Sequence, residues 1–401
     1  MLTCSLVRDV TELERLRAPW RALLARSAAN EPTRGPAWAL AWWRVFGHHD
    51  GRELRALAFT RAGRLVGLAP LLARAHTYAP GVRFQRLELV ATGEREADET
   101  CSDYVGVLAE RGREREVAGR LAEALVRGET GPWDELVLGV QSGDDPLPAL
   151  LGEALERARV SVSIETCSWA PYVPLPSSWE AYLRALPTSH RSLVRRSLRQ
   201  FEAWAGEPPR LERVTGPEEL RRGSRVLIDL HRERWATEGR RGVFDSAPFR
   251  AFHGSVMPEL LAAGALDLGC LRARGEPVAA FYNVVWGDKV YFYQSGRRVE
   301  GVPPGVRLGI VMHACAIRDA IAAGRREYDF LAGASRYKLE LALARRPLLT
   351  LRAARPSWAE ALRAAADVAI GRAREAREAL RRRRRTAPGS PGQVGAARAS
   401  P

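Results

Sequence analysis

Apolar and polar positions follow the same order twice along the chain. Residues 53–72 contain two apolar segments on either side of a turn at 61–64, and this pattern predicts a β-hairpin. Residues 266–286 repeat the pattern around a turn at 274–276. The chain is therefore predicted to contain an internal repeat of one structural unit.

After each hairpin, the pattern predicts a strand, a helix and a short strand. In the first half these are 103–108, about 114–127 and 133–138; in the second half they are 289–294, about 306–323 and 327–331. The second-half helix is well specified, because apolar residues from Val306 to Ile321 recur at spacings of three and four and Gly324 supplies a stop. We predict two copies of one α/β unit.

The segment between the copies contains a proline-rich linker and a basic helix. The linker is predicted at 171–176 and the helix at 178–205, with Arg191, Arg195, Arg196 and Arg199 on roughly one side. We place the domain boundary near residue 170. The predicted organisation is a first domain at 1–170, a second domain at 171–355, and an Arg-rich helix with a disordered tail at 356–401.

Length and composition fit a protein of this organisation. A chain of 401 residues suits two α/β domains with a core each. No run of eighteen apolar residues occurs, and a charge at Arg8 precedes any apolar run of signal-peptide length, so neither a transmembrane segment nor a secretory signal is predicted. Five scattered cysteines without a C-x-x-C favour a reducing compartment and no metal site. We expect a cytoplasmic protein.

The net charge of +15 is mostly arginine, because Lys289 and Lys338 are the only lysines. Part of the excess lies in the last thirty residues, including five consecutive arginines at 381–385. One interpretation is a solvated, disordered basic tail. The other is a tail that contacts an anionic membrane surface or RNA.

The loop 301–305 opens the second-half helix and is a candidate anion site. The start of a helix offers unpaired N–H groups and the positive end of the helix dipole, although a plain tight turn would look similar in sequence. The first-half helix opens with Glu114 and Glu116, which would compete with a phosphate, whereas Arg297, Arg298 and Arg307 flank the second opening, with Glu300 as the opposing charge. We therefore expect a phosphorylated co-substrate in the second half.

These residues resemble the GNAT acyltransferases of the CelD/BcsL type, a FemAB-like branch named for cellulose and other polysaccharide synthesis. The resemblance covers about 10–345. It is carried by the segments 36–38, 65–71, 103–104, 231–235, 277–280, 291–296, 304–305, 328–333 and 337–338. It implies two tandem GNAT folds and transfer of an acyl group from acyl-CoA, with no permanently bound cofactor, to an amine or hydroxyl of a small-molecule or glycan-precursor acceptor. The sequence departs from the family at 301–306, which lacks the glycine spacing of the usual pyrophosphate loop, R/Q-x-x-G-x-G/A.

Three residues are candidates for the acid–base chemistry of acyl transfer. Asp329 ends a short predicted strand beside the second-half helix and is a candidate base or acceptor-orienting group. An aspartate with only a turn role would look the same in sequence, and Asp134 holds the equivalent place in the first half. His231 is a candidate base on a helix, or a histidine with only a packing role. Tyr293 is a candidate general acid, or a core residue sharing a strand face with Tyr291.

The remaining candidates bind the co-substrate or the acceptor. Pro304, Gly305, Val306 and Arg307 are predicted to contact acyl-CoA, and Arg234, Trp235, Tyr337 and Lys338 are predicted to contact substrate. Lys338 stands out because it is one of two lysines in a chain that otherwise uses arginine. A lysine at this position suggests a site that needs a compact ammonium group. The alternative is an ordinary surface charge.

Three hypotheses for function follow. The first is an acyltransferase acting on a cell-envelope or polysaccharide precursor, with the donor on the second domain and the acceptor between the domains. The second is a FemAB-like aminoacyl-tRNA-dependent transferase, in which the arginines of 191–199 would contact RNA. The third is a non-catalytic scaffold in polysaccharide assembly. The sequence contains no G-x-S-x-G, H-E-x-x-H, Walker loop or G-x-G-x-x-G.

Overall fold

The structure of the chain, a computed structural model, describes residues 2–78 and 81–386. Within its last helix, side chains are described as far as residue 370, together with residues 372 and 377. The predicted tail beyond 386 lies outside the described residues.

The first half alternates short strands with helices. Its strands are β1 Thr3–Val7, β2 Glu53–Leu54, β3 Ala56–Arg61, β4 Arg64–Ala69, β5 Leu71–Tyr78, β6 Val82–Leu89, β7 Leu108–Ala109 and β8 Glu135–Ser142. Its helices are α1 Val10–Arg15, α2 Arg17–Arg26, α3 Pro36–Phe46, α4 Glu114–Val126 and α5 Leu147–Arg157.

The second half begins after a long strand, β9 Ser161–Pro174. Its further strands are β10 Leu211–Arg213, β11 Leu266–Ala273, β12 Glu276–Trp286, β13 Lys289–Arg297, β14 Glu327–Asp329 and β15 Ala344–Ala354. Its helices are α6 Trp179–Ala185, α7 Thr188–Ala205, α8 Pro217–Thr237, α9 Ala247–Ala262, α10 Leu308–Ala322, α11 Arg336–Leu341 and α12 Trp358–Thr386.

The strands form two sheets, and the larger one runs through both halves. A four-stranded sheet has the order β1-β3-β4-β7, and an eleven-stranded sheet has the order β10-β11-β12-β13-β14-β9-β15-β8-β6-β5-β2. The continuity comes from β9 and β15, which pair antiparallel and then join β14 on one side and β8 on the other. The predicted boundary at residue 170 lies inside β9, and 171–174 is strand.

The local predictions are confirmed where the pattern is strongly periodic. Both hairpins form, as β3–β4 and β11–β12, and α10 occupies almost the predicted range. The predicted strand at 103–108 is wrong: its only strand residue is Leu108, and Tyr104 has a left-handed backbone conformation. The predicted helix at 178–205 is two helices, α6 and α7, because Leu186 is extended before Pro187, as expected for a residue that precedes proline.

The second-half sheet separates two hydrophobic layers. Val290 and Phe292 of β13 pack with α7 and α10 on one face, while Tyr291 and Tyr293 pack with α8 and α9 on the other. This alternation follows the two-residue period of a strand. The layer around Tyr291 and Tyr293 is continuous with the first-half core. No helix within 2–78 and 81–386 combines the length and the apolar character needed to cross a membrane.

Candidate active site

The parallel strands β13 and β14 separate after a short contact. They pair at three positions, the last being Tyr291 with Asp329, whereas β13 stays paired with β12 as far as Arg297. The chain then passes through the loop 298–307 into α10. A cleft is therefore open between the end of β13 and the start of α10.

A pocket of about 530 Å³ occupies this cleft. We call it the arginine pocket, because Arg234, Arg297, Arg298, Arg307 and Arg336 line it, with Glu340 as the one carboxylate among its lining residues. Glu340 accepts a hydrogen bond from Arg336 Nε at 2.9 Å and lies 3.9 Å from Arg307 Nη1. Positive charge exceeds negative charge in the pocket, which therefore favours an anionic ligand.

The start of α10 faces the arginine pocket. Leu308, Gly309 and Ile310 line it, and no side chain in the described part of the chain caps the helix. The first N–H groups of a helix have no acceptor within the helix, and the helix dipole adds partial positive charge there. A Cβ added to Gly309 would meet nothing within 4 Å, so a ligand can approach this backbone closely.

Two arginines of the pocket, Arg234 and Arg297, repel each other electrostatically. Burial and the positive charge of Arg234 lower the pKa of Arg297. Within the described residues, Arg234 Nε is buried without a hydrogen-bond partner, and its nearest carboxylate, Glu238, is 3.9 Å away. An anion between the two arginines would satisfy this donor and relieve the repulsion between like charges.

The helix α8 holds Arg234 in place by packing tightly on β13. A Cβ on Gly296 would overlap the backbone nitrogen of His231, so glycine is required for this approach. Glu233 Oε1 accepts hydrogen bonds from the backbone N–H groups of Val299 at 2.7 Å and Glu300 at 3.2 Å. The segment 231–235, which carries part of the family resemblance, thus fixes the loop that follows β13.

A tyrosine and a histidine stack at one side of the pocket. The rings of Tyr337 and His313 are 5.3 Å apart and nearly parallel, and Tyr328 Oη lies 3.1 Å from His313 Nδ1. Burial lowers the pKa of His313 to about 3 and raises the pKa of Tyr337, so at neutral pH the imidazole is uncharged and the phenol protonated. His313 was not predicted as a site residue; its one signal in the sequence is a polar residue within an apolar helix.

Asp329 lies in a buried contact between the two halves, outside the lining of the arginine pocket. Its carboxylate accepts hydrogen bonds from Tyr104 Oη at 2.7 Å and from Leu331 N at 2.7 Å, and it lies 3.6 Å from Arg346 Nη1. Burial raises the pKa of Asp329 to about 6, although the charge of Arg346 opposes the shift. Its first-half counterpart Asp134 is exposed and accepts from Gln85 N.

Lys338 and Asp103 belong to the same inter-half contact. Lys338 Nζ donates to Ala332 O at 2.6 Å, and Asp103 Oδ2 accepts from Ala332 N at 2.6 Å. Burial raises the pKa of Asp103 to about 7 and lowers that of Lys338. Leu331 and Tyr104, which adjoin these groups in the chain, both have left-handed backbone conformations. Strained backbone of this kind often accompanies functional sites.

Six of the predicted site residues meet in the arginine pocket: Pro304, Gly305, Val306, Arg307, Arg234 and Tyr337. The other five, Asp329, His231, Tyr293, Lys338 and Trp235, are not among its lining residues. Their roles stay predictions.

His231 Nε2 and Tyr293 Oη are engaged in hydrogen bonds within the core, whereas His231 Nδ1 is buried and has no partner among the described residues. Trp235 Nε1 donates to His231 Nε2 at 2.9 Å, and burial lowers the pKa of His231 to about 4. Tyr293 donates to the carbonyl of Thr100 and lies 2.9 Å from His253 Nε2. The pKa of Tyr293 is raised well above its usual value by burial.

Comparison with known proteins places this geometry in a known fold. Residues 188–339 match the family described as acetyltransferase (GNAT) domain, and this range includes the whole lining of the arginine pocket except Glu340. No curated protein matches the chain at a significant level.

Three crystal structures share the fold across most of the chain. FemX has a TM-score of 0.56 at 11% identity, covering 84% of this chain and 95% of FemX. The C-terminal domain (DUF2156) of a putative lysylphosphatidylglycerol synthetase from Agrobacterium fabrum has a TM-score of 0.50 at 11% identity, covering 89% and 96%. A conserved protein of unknown function from Bacteroides thetaiotaomicron has a TM-score of 0.51 at 10% identity, covering 88% and 100%. The chain therefore shares the α/β fold of these structures over most of its length, and residues 188–339 in its second half match the GNAT acetyltransferase domain.

Proposed function

We propose that the chain is an acyltransferase of the CelD/BcsL type, which transfers an acyl group from acyl-CoA to an amine or hydroxyl of a cell-envelope or polysaccharide precursor. The observation that carries the proposal is the arginine pocket at the uncapped start of α10, inside the region that matches the GNAT family. The names of the fold relatives FemX and lysylphosphatidylglycerol synthetase are consistent with an envelope substrate.

The diphosphate of the donor binds at the start of α10 in this proposal. The N–H groups of Leu308, Gly309 and Ile310 and the side chains of Arg234 and Arg297 hold its negative charge. The usual glycine spacing of the pyrophosphate loop is replaced by glycines at 301, 305 and 309. The first two have left-handed backbones, and the third is open to the pocket. These glycines would therefore let the diphosphate approach the backbone closely, although their spacing differs from that of the usual pyrophosphate loop.

Tyr337 is the proposed proton donor to the departing thiolate. Its phenol is protonated at neutral pH because burial raises its pKa, and it lines the arginine pocket. The attacking amine or hydroxyl forms the new bond to the acyl carbon, the carbon–sulfur bond breaks, and the phenol proton passes to sulfur. The proton lost by the attacking group then passes through solvent to the phenolate and restores Tyr337. Asp329 and Lys338 act as positioning residues in this proposal, because both bond to the segment 331–332, close to Tyr337 in the chain.

Titration calorimetry with acetyl-CoA and longer acyl-CoAs tests the donor assignment. We expect saturable binding that Arg234→Gln weakens about tenfold, since a charge-assisted contact contributes roughly 1.5–3 kcal/mol. Arg232→Gln is the matched control, because Arg232 lies on the same helix but is exposed and paired with Asp245. Absence of binding for every acyl-CoA would reject acyl-CoA as the donor.

An aminoacyl-tRNA donor is the second candidate, and one observation favours it. Arg195, Arg196 and Arg199 are exposed on α7, and Gln200 of the same helix lies against Gly305 at the pocket. Basic surface thus adjoins the donor loop. If RNA binds there, affinity should fall steeply with salt, and replacing the three arginines with glutamine should weaken RNA binding without affecting acyl-CoA.

A non-catalytic scaffold is best tested at Tyr337. Asp329→Ala and Lys338→Ala would also disturb the contact between the halves, so their effects on folding and catalysis would be mixed. Tyr337→Phe keeps the ring that stacks on His313 and removes the hydroxyl. Unchanged function of Tyr337→Phe in cells would favour the scaffold over an enzyme that uses this proton donor.

A further inference from the structure

The last described helix, α12, turns Glu360 and Arg363 toward the body of the protein, while Asp367 stays exposed. Its segment 358–370 contains three charged residues, Glu360, Arg363 and Asp367. Glu360 pairs with Arg352 of β15 at 2.6 Å and with Arg363 at 2.7 Å, and Arg363 also pairs with Asp367. These contacts fix which side of the helix meets the protein.

The opposite side of the same segment is apolar and open to solvent. Trp358 is 79% exposed, Leu362 45% and Val368 55%, whereas Ile370, 45% exposed, lies two turns after Arg363 and therefore on the charged side. Trp358 and Leu362 are four residues apart and therefore neighbours on the helix surface. An ordinary surface helix buries its apolar side and exposes its charges. The reversed arrangement leaves an apolar surface without a partner in the described chain, and such a surface usually marks an interaction site.

Positive charge follows this apolar segment directly in the sequence. Residues 371–386 continue α12 and contain eight arginines and two glutamates, which gives a net charge of +6. An apolar helical surface with an exposed tryptophan, adjoining a cluster of arginines, has the composition of helices that lie in the interface of an anionic bilayer.

We propose that α12 docks the protein on the surface of an anionic lipid bilayer, with Trp358, Leu362 and Val368 in the interface and the Arg-rich segment 371–386 at the level of the lipid phosphates. Nucleic acid would use the arginines but would not account for the exposed apolar side. A second copy of the chain would cover the apolar side but would bring two clusters of positive charge together. The bilayer accounts for both features. The proposal is independent of the acyl donor.

Sedimentation of the full chain with vesicles tests this inference. We expect binding to vesicles that contain phosphatidylglycerol, little binding to phosphatidylcholine alone, and release at high salt. The double variant Trp358→Ser with Leu362→Ser should lower partitioning about tenfold or more, because it removes buried apolar area at the interface. Replacing the five arginines of 381–385 with glutamine should lower it by at least as much.

The matched control is Ile164→Ser with Leu339→Ser, which removes two exposed apolar residues elsewhere and should leave vesicle binding unchanged. Both double variants should keep the wild-type melting temperature, because all four residues are exposed. The proposal is overturned if Trp358→Ser with Leu362→Ser binds vesicles as the wild type does. It is also overturned if that variant instead converts a dimer to a monomer, or if the chain binds RNA and not vesicles.

Discussion

The two halves of the molecule place equivalent helices after equivalent hairpins, but only the second helix starts in an open, positively charged pocket. At the start of α4, Arg113 pairs with Glu110 at 3.1 Å and with Glu116 at 2.9 Å, so the charges there are balanced locally. At the start of α10, five arginines face one glutamate.

The two halves differ in strand pairing as clearly as they differ in charge. The strands that flank α10, β13 and β14, are parallel neighbours in one sheet, and they part beside the helix start. The strands that flank α4, β7 and β8, belong to different sheets. Both halves thus have a hairpin followed by a helix and a strand, although β5 and β6 lie between hairpin and helix in the first half. A shared succession of hairpin, helix and strand is therefore not sufficient to form an open, positively charged pocket.

The largest expected effect is on stability, at the close contact that positions Arg234. Gly296→Ala places a Cβ against the backbone of His231, which cannot move without shifting α8. We expect a loss of about 3 kcal/mol in the free energy of unfolding, measured by chemical denaturation. The control is Gly254→Ala in α9, where a Cβ meets nothing within 4 Å and the change should stabilise by up to about 1 kcal/mol. Equal stabilities for the two variants would show that α8 does not need this contact.

The second effect is on ligand affinity at the start of α10. Gly309→Glu brings a carboxylate to the open N–H groups, where it competes with the donor phosphates, and Gly309→Ala adds only a methyl group in free space. We expect calorimetry to show acyl-CoA binding weakened about 30-fold by glutamate, equivalent to about 2 kcal/mol, and nearly unchanged by alanine. Loss of binding in the alanine variant would mean that shape, and not charge, controls this site.

The structural features of the two halves that depend on local periodicity were predictable from the sequence. The hairpins, α10 and the charges around its first turn were predictable because each is encoded within about fifteen consecutive residues. The contact of Tyr104 with Asp329, 225 residues apart, was not predictable, because it depends on β9 and β15 joining the halves into one sheet. Six of the predicted site residues came together for three reasons: 304–307 adjoin α10 in the sequence, Tyr337 lies on α11, which packs against α10, and Arg234 lies on α8, which packs against β13.

The third effect is the pH dependence of stability that arises at the contact between the halves. Asp103 and Asp329 have pKa values raised by burial to about 7 and about 6, from a model-peptide value near 3.8. Folding therefore favours their protonated forms. The stability that these groups contribute is fully present below about pH 4 and is lost as pH rises through 6 and 7.

Asp103→Asn should flatten this dependence by about 2 kcal/mol between pH 5 and pH 7, measured as the free energy of unfolding at each pH. The amide oxygen can still accept from Ala332 N, so the fold should persist. Asp134→Asn is the matched control, because Asp134 is exposed and lies outside the inter-half contact. A slope unchanged by Asp103→Asn would show that Asp103 does not titrate with folding.

The smallest expected effect tests whether charge alone explains why the start of α10 binds a ligand and the start of α4 does not. Replacing Glu114 and Glu116 with glutamine removes negative charge from the first turn of α4 without adding bulk. Stability should fall by about 0.5 kcal/mol, because an exposed ion pair and a favourable dipole interaction are lost. The variant should still bind one acyl-CoA per chain in calorimetry, because β7 and β8 lie in different sheets and leave no cleft equivalent to that between β13 and β14. A stoichiometry of two would reverse this conclusion, since it would mean that the strand arrangement permits binding in both halves and that the two glutamates alone prevent it in the first.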